Sequence, residues 1–131
     1  MKRQSCAKAT AAGGSGSSVP GPTAQTPRPV VLDVDLSVDP AREREMLRNF
    51  QTIFKPAAAA FEGYVDVKMC KLRSALQGEP PGGVNYRFQL TFQSEELRQK
   101  WASSETHQKV WPTIENALTS RNFVVLLFDA V

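Results

Sequence analysis

Histidine and cysteine are nearly absent from this chain: 131 residues hold one histidine, His107, and two cysteines, Cys6 and Cys70. Two scattered cysteines cannot build a disulfide-dense secreted scaffold. With no C-x-x-C pair and a single histidine, a structural zinc site is excluded as well. Long apolar runs are also missing. The longest, Phe123 to Phe128, has six residues, against the roughly 20 that span a bilayer, so a transmembrane helix is excluded. There is no P-loop, no GxGxxG after a strand, no GxSxG and no HExxH. These absences remove many enzyme classes before any function is considered. What remains is ordinary for one globular domain, 41% hydrophobic and 22% charged.

The formal charge of +3 is unevenly spread. Residues 1–29 carry Lys2, Arg3, Lys8 and Arg28 and no acid, whereas the rest of the chain holds 12 basic and 13 acidic side chains. The basic pI therefore belongs to the tail, and the balance of the body gives no support for nucleic-acid binding. Residues 1–29 contain no aromatic, Leu or Ile, but four glycines and four prolines. Such a segment buries too little apolar surface to offset about 1–2 kcal/mol of backbone entropy per residue, and is expected to be disordered. It lacks the apolar stretch of a secretory signal. The expected location is the cytoplasm, with organelle import through the basic, acid-free tail as the alternative. A disulfide between Cys6 and Cys70 is not expected there.

Residues 30–131 read as strand, helix, strand, strand, helix, strand. Leu32, Val34, Leu36 and Val38 alternate with Asp33, Asp35 and Ser37, predicting a half-buried strand over Val30 to Val38. Asp39-Pro40 is an N-cap followed by proline at the first helical position. The helix beyond carries Met46, Leu47, Phe50, Ile53, Phe54 and Ala57 at spacings of three and four, and Pro56 should kink or end it. After Gly63 a second strand places Val65, Val67 and Met69 on one face, with a bulge or strand end near Cys70. The stretch from Ser74 to Gly83 is a Gly/Pro-rich connection. Val84, Tyr86, Phe88, Leu90 and Phe92 alternate without error in strand three. Ser94 caps a helix bearing Leu97 and Trp101. A second helical stretch aligns His107, Val110, Trp111, Ile114 and Leu118, with Pro112 as a kink. The last strand, Phe123 to Val131, is apolar on both faces. One row is Phe123, Val125 and Leu127; the other is Val124, Leu126 and Phe128. Two helices cannot cover both faces of a four-stranded sheet, so a partner subunit is expected over the second row.

The order βαββαβ in about 100 residues is the ferredoxin-like plan, an α+β fold with an antiparallel sheet and helices on one face. In that order strands one and three are central neighbours, so Arg87 can pair with Asp33 or Asp35, either against a partner subunit or on a solvated sheet face. The run from Phe88 through Ser94-Glu95-Glu96-Leu97, then Trp101 and Ser104-Glu105-Thr106-His107-Gln108, resembles the antibiotic biosynthesis monooxygenase domain. Phe61-Glu62-Gly63-Tyr64 is similar to that family's turn from helix one into strand two. The resemblance covers residues 30–131. It implies a homodimer whose two sheets pack into a dimeric α/β barrel, with a ligand cavity between each sheet and its helices. The related stress-responsive dimeric α/β-barrel proteins have a similar pattern.

Members of the resembled family include oxygenases that need no metal or flavin, so the resemblance implies no cofactor. In those proteins an electron-rich polycyclic phenol is bound and deprotonated, and its anion reacts with O₂. Other members degrade haem. There, the residue ten positions after a tryptophan like Trp101 is an iron-ligating histidine, but here that position is Trp111, which cannot ligate. Two functions stay open. One is a cofactor-independent monooxygenase acting on an aromatic or polycyclic small molecule. The other is a non-catalytic small-ligand-binding protein using the same pocket. His107 is the candidate catalytic base, because a neutral imidazole with a pKa near 6.5 can take a phenolic proton. Trp101 and Trp111 are candidate flat walls for an apolar or aromatic ligand, and Tyr86 is a candidate hydroxyl on the inward row of strand three. Neither a nucleic acid nor a membrane is an expected partner.

Overall fold

The computed structural model describes residues 28–131. The readings made for residues 1–27, Cys6 included, lie outside the described residues. The sheet contains β1 (Val30–Leu36), β2 (Tyr64–Lys71), β3 (Tyr86–Phe92) and β4 (Val124–Asp129). They lie in the order β2-β3-β1-β4, and every neighbouring pair is antiparallel. This is the ferredoxin-like arrangement, with β1 and β3 at the centre. The buried core lies between the sheet's inner face and the helices. On the sheet side it is formed by Val30, Val34, Leu36, Val67, Tyr86, Phe88, Leu90 and Phe92.

The connection from β1 to β2 is one long helix of mixed pitch. Asp39 caps a 3-10 turn at Pro40–Arg42, its carboxylate accepting the Ala41 N–H at 2.9 Å. There follow α1 (Glu43–Asn49), a π-helical turn (Phe50–Phe54) and α2 (Lys55–Ala59). The π turn answers a spacing in the sequence. Met46, Phe50, Phe54 and Ala58 all face the core, each four residues beyond the last. In a regular α-helix, twelve residues at about 100° each would leave Ala58 rotated about 120° from Met46. The wider turn, with Lys55 N–H bonded to the Phe50 carbonyl, takes up that drift. It also alters the expectation for Pro56. The helix neither stops nor breaks there, because the proline sits in the first turn of α2, just past the π turn.

Gly63 reverses the chain into β2 with φ +90°. A Cβ built there would lie 2.6 Å from Leu97 Cδ1 and 2.8 Å from Leu97 Cβ, so the position needs glycine for both conformation and space. β2 meets β3 with a register shift between Tyr64 and Asp66. Val65 is the extra residue, half-exposed, while Tyr64, Val67 and Met69 stand opposite Phe92, Leu90 and Phe88. The bulge thus falls at Val65, and Val65 does not share a face with Val67 and Met69. The strand end expected near Cys70 is at Lys71.

Other boundaries shift for local reasons. β1 stops at Leu36, and beyond it Val38 is held by an isolated antiparallel bridge to Leu118 and by the Asn85 side chain. Val38 N–H donates to Asn85 Oδ1 at 2.8 Å, and Asn85 Nδ2 donates to the Val38 carbonyl at 2.9 Å. The same clamp delays β3 to Tyr86. Beyond β3, Ser94 caps α3 (Glu95–Ala102) by accepting Leu97 N–H, and Ser104 caps α4 (Glu105–Val110) by accepting His107 N–H. α4 ends at Trp111 and α5 (Pro112–Glu115) begins at the proline, the expected break.

β4 departs most from expectation. Its Val125 and Leu127 lie on the helix side, opposite Val34 and Leu32 of β1, yet both are about half-exposed, as are Val124, Leu126 and Phe128 on the outer side. The helical layer reaches β4 only near Phe123, whose ring meets Trp111 edge-to-face at 5.9 Å. Both apolar rows of β4 are therefore uncovered in the single chain.

Candidate functional site

A cavity of about 220 Å³ opens between the sheet and the helices. Its sheet side is Leu32, Val34, Phe88, Leu90 and Val125; its helix side is Phe54, Arg98, Trp101, Ala102, His107 and Trp111, with Phe123 completing the lining. The period-two alternation of β1 and β3 delivers Leu32, Val34, Phe88 and Leu90, and β4 adds Val125. The two serine caps position Arg98, Trp101, Ala102, His107 and Trp111 by starting α3 and α4 at fixed points. Ser104 also donates its hydroxyl to the Trp101 carbonyl at 2.6 Å, which ties the end of α3 to the cap of α4 and so fixes Trp101 relative to His107.

The aromatic walls are packed by edges and faces. Phe54 meets Phe88 at 5.2 Å and Trp101 at 5.8 Å, both nearly perpendicular. His107 is held between the two tryptophans, edge-on to Trp101 at 5.4 Å and parallel to Trp111 at 6.5 Å. Its Nδ1 is buried and has no hydrogen-bond partner in the described structure. Burial pushes the imidazole pKa below its usual value, and the nearby Arg98 guanidinium pushes it further the same way. His107 is thus held neutral at neutral pH, with a ring nitrogen available as a proton acceptor.

Arg98 is the charged group that sequence reasoning missed. It is largely buried and held by both oxygens of Glu95, at 2.6 and 2.7 Å. The signal was its place on α3, three residues before Trp101 on the same side of the helix. Phe54 also lines the cavity, brought there by the π turn.

Of the four residues singled out from the sequence, His107, Trp101 and Trp111 come together on the cavity. Tyr86 is not in its lining. It is buried on the inward row as expected, but at the end of the ladder opposite Leu36. There its hydroxyl donates to the Glu43 carboxylate, which also pairs with Lys71 Nζ at 2.7 Å. Burial and that carboxylate together raise the Tyr86 pKa well above the usual phenol value, so the hydroxyl stays protonated and fastens α1 to the sheet. Among the described residues, no three His, Cys, Asp or Glu side chains are grouped to hold a metal ion, and no helix is long and apolar enough to cross a membrane.

The sequence matches no protein-family model, and no curated protein matches it. Similarity is found in solved structures. A dimeric ferredoxin-like protein of unknown function from Jannaschia is 15% identical, covering 78% of this chain and 99% of its own, with a TM-score of 0.65. A protein from Caulobacter crescentus, provisionally assigned as an antibiotic biosynthesis monooxygenase, is 15% identical over 81% of this chain and 92% of its own, at 0.63. A cofactor-independent oxygenase from Streptomyces nogalater is 14% identical over 79% and 93%, at 0.60. A hydroxynitrile lyase from Passiflora edulis shares the fold too, at 12% identity over 80% and 95%, with a TM-score of 0.65. At these identities the likeness establishes the ferredoxin-like α+β fold, the one in which antibiotic biosynthesis monooxygenase structures are found, and leaves the reaction open.

Proposed function

We propose that this chain is a cofactor-independent monooxygenase that acts, as a homodimer, on an aromatic or polycyclic small molecule carrying an acidic hydroxyl. The observation that carries the reading is the His107 imidazole, held neutral between two tryptophans on an apolar cavity with its Nδ1 unpartnered. A flat ligand stacks against the aromatic walls. His107 takes its hydroxyl proton, and Arg98 stabilises the anion electrostatically because it stands beside the same space. The depressed pKa keeps the base available at neutral pH while lowering its driving force, so the substrate hydroxyl must itself be acidic, as in extended phenols. The anion then reduces O₂. The peroxide anion formed on a hydrogen-bearing substrate carbon takes back the proton held by His107 and becomes a hydroperoxide. Loss of that carbon's hydrogen together with hydroxide, as water, leaves a carbonyl there, so one oxygen atom ends in product and one in water.

A second reading, a non-catalytic binding protein, is favoured by one observation: the cavity lining contains no carboxylate or hydroxyl side chain to pair with His107. An oxygen-consumption screen of metal-free protein against hydroxylated polycyclic aromatics, with His107→Ala alongside, separates the two. Turnover that requires His107 supports the oxygenase. Saturable binding without O₂ uptake supports the binding protein. Full activity in His107→Ala removes the base and leaves the oxygenase class standing. The dimer is supported by the uncovered rows of β4 and by the dimeric ferredoxin-like neighbour, and sedimentation equilibrium of the full chain tests it.

A further inference from the structure

The cavity is short along the strands. β1 and β3 set four inward pairs side by side: Val30–Phe92, Leu32–Leu90, Val34–Phe88 and Leu36–Tyr86. Only the middle two pairs line the cavity. The outer two are at most 3% exposed and packed in the core. They close the floor at both ends, so it spans two inward positions, roughly 7 Å of strand. On the β2 side, Val67 and Met69 stand opposite Leu90 and Phe88 but outside the lining. Phe123, one residue before the Val124–Asp35 pair, packs its ring on Trp111 and bounds the Leu36 end on the β4 side. The cavity opens over Val125, which lines it and is half-exposed. The volume agrees with the floor. A dry protein cavity of about 150 Å³ holds one benzene. By that measure 220 Å³ holds roughly nine non-hydrogen atoms, the size of two fused rings and not of three. Polarity is as confined. Among the described residues that line the cavity, only Arg98 and His107 carry polar side-chain atoms besides the two indoles. Both are on the helix side, close enough for Arg98 to act on the His107 charge.

We infer that the ligand of this cavity is a two-ring arenol: two fused aromatic rings with one ionisable hydroxyl, on the edge that faces His107 and Arg98. The inference rests on the oxygenase reading above and narrows its substrate from polycyclic aromatics to two rings. A second polar substituent, turned toward the floor, would meet apolar side chains and lose its water without gaining a partner. A third ring finds no room between the end pairs. It projects past Val125, where the helical layer no longer covers the sheet, and gains little from burial. In the anion of such an arenol the ring carbon para to the oxygen carries negative charge and bears hydrogen, so it is the one oxidised. α-Naphthol and one O₂ then give a two-ring quinone and one water.

The test is a size series of phenol, α-naphthol and α-anthrol, with naphthalene as the two-ring skeleton lacking a hydroxyl. Affinities for the full chain are measured by equilibrium dialysis without oxygen, so that binding is read apart from turnover. α-Naphthol should bind roughly tenfold or more tightly than phenol, because a second ring is buried, and more tightly than naphthalene, because its hydroxyl meets His107 and Arg98. α-Anthrol should gain nothing over α-naphthol. A gain at the third ring as large as at the second, naphthalene binding as tightly as α-naphthol, or no binding of α-naphthol overturns the inference. Phe123→Ala, checked by far-UV circular dichroism and melting, removes the ring at one end, so α-anthrol should there bind more tightly than α-naphthol. A plateau that persists in the folded variant belongs to the compounds and not to the cavity, and the inference falls; if the variant does not fold, the wild-type series decides alone. Oxygen uptake on the same series separates this inference from the reading beneath it. α-Naphthol bound with the expected plateau but never oxidised refutes the oxygenase and keeps the two-ring ligand. α-Anthrol bound more tightly than α-naphthol and oxidised keeps the oxygenase and overturns the two-ring limit.

Discussion

Replacing Gly63 with alanine tests how the turn into β2 holds the cavity helices. Gly63 has φ +90°, a conformation that costs an L-residue roughly 1–2 kcal/mol. The added Cβ would also lie 2.6 Å from Leu97 Cδ1, 2.8 Å from Leu97 Cβ and 3.1 Å from Leu97 Cγ, where overpacking costs about 1–3 kcal/mol. The sum is about 2–5 kcal/mol, or on the order of 10–40 °C in melting temperature for a domain of this size. Urea denaturation of wild type and Gly63→Ala measures it directly. Two further variants separate the contributions. Leu97→Ala in the Gly63→Ala background removes the Cδ1 and Cγ contacts and should return about 1 kcal/mol as a favourable coupling. Gly63→Asn tolerates the backbone better but keeps the Cβ, so it should recover only the conformational part. A loss below about 0.5 kcal/mol in Gly63→Ala would refute the reasoning, because it would mean that neither the turn nor the contact with α3 is as tight as described. Leu97 immediately precedes Arg98 and is one turn from Trp101, so ligand affinity should fall along with stability.

Ala102→Phe should fill the cavity from α3 and abolish binding of aromatic ligands, read by tryptophan fluorescence, with little change in far-UV circular dichroism. Protonation of His107 is disfavoured in the folded state, so its contribution to stability is complete above the unfolded value of about 6.5 and is lost as pH falls below that toward the folded pKa. His107→Gln should flatten that acid limb in a series of melts at stepped pH, and an unchanged limb would place the titration elsewhere. Tyr86→Phe should lower the melting temperature, because the bond to Glu43 is lost, while leaving ligand affinity unchanged; a loss of affinity would return Tyr86 to the site.

The alternation of β1 and β3 made the inward row legible in the sequence, and the element order gave the order of the strands; a cavity between sheet and helices was implied only by the family resemblance. The Ser94 cap made the start of α3 legible, whereas the Ser104 cap of α4 emerged only in the structure. What stayed hidden depended on contacts between distant segments. Pro56 looked like a breaker because a regular helix was assumed; the four-residue spacing of Met46, Phe50, Phe54 and Ala58 held the information that the helix is underwound. Asn85 holds the chain beyond β1 and delays β3 through bonds to Val38, 47 residues away, which no local pattern encodes. Tyr86 satisfied the alternation rule and is buried as that rule requires, but its distance from the cavity depends on where along the sheet the helices leave space. Arg98 was passed over because a charged residue in an exposed-looking helix is ordinary until Glu95 and the cavity fix it in place.

The candidate site and the outer face of the sheet are two readings of the same two strands. On β1, Leu32 and Val34 face the cavity while Asp33 and Asp35 face outward; on β3, Phe88 and Leu90 face the cavity while Arg87 and Gln89 face outward. Seven consecutive residue pairs without a shift join β1 to β3. A slip of one residue in either strand would exchange its two sets, because side chains repeat with a period of two. Asp33 or Arg87 would then press against the tryptophans, and Leu32 or Phe88 would enter the outer face. No such slip can be repaired locally, since both faces of these strands are specified. β2 is different. Val65 and Cys70 on its outer side are exposed, and the one irregularity in the sheet registers falls there, between Tyr64 and Asp66. The bulge thus lies on the edge strand, the position where an extra residue disturbs neither the cavity nor the ion pairs of Arg87 with Asp33 and Asp35.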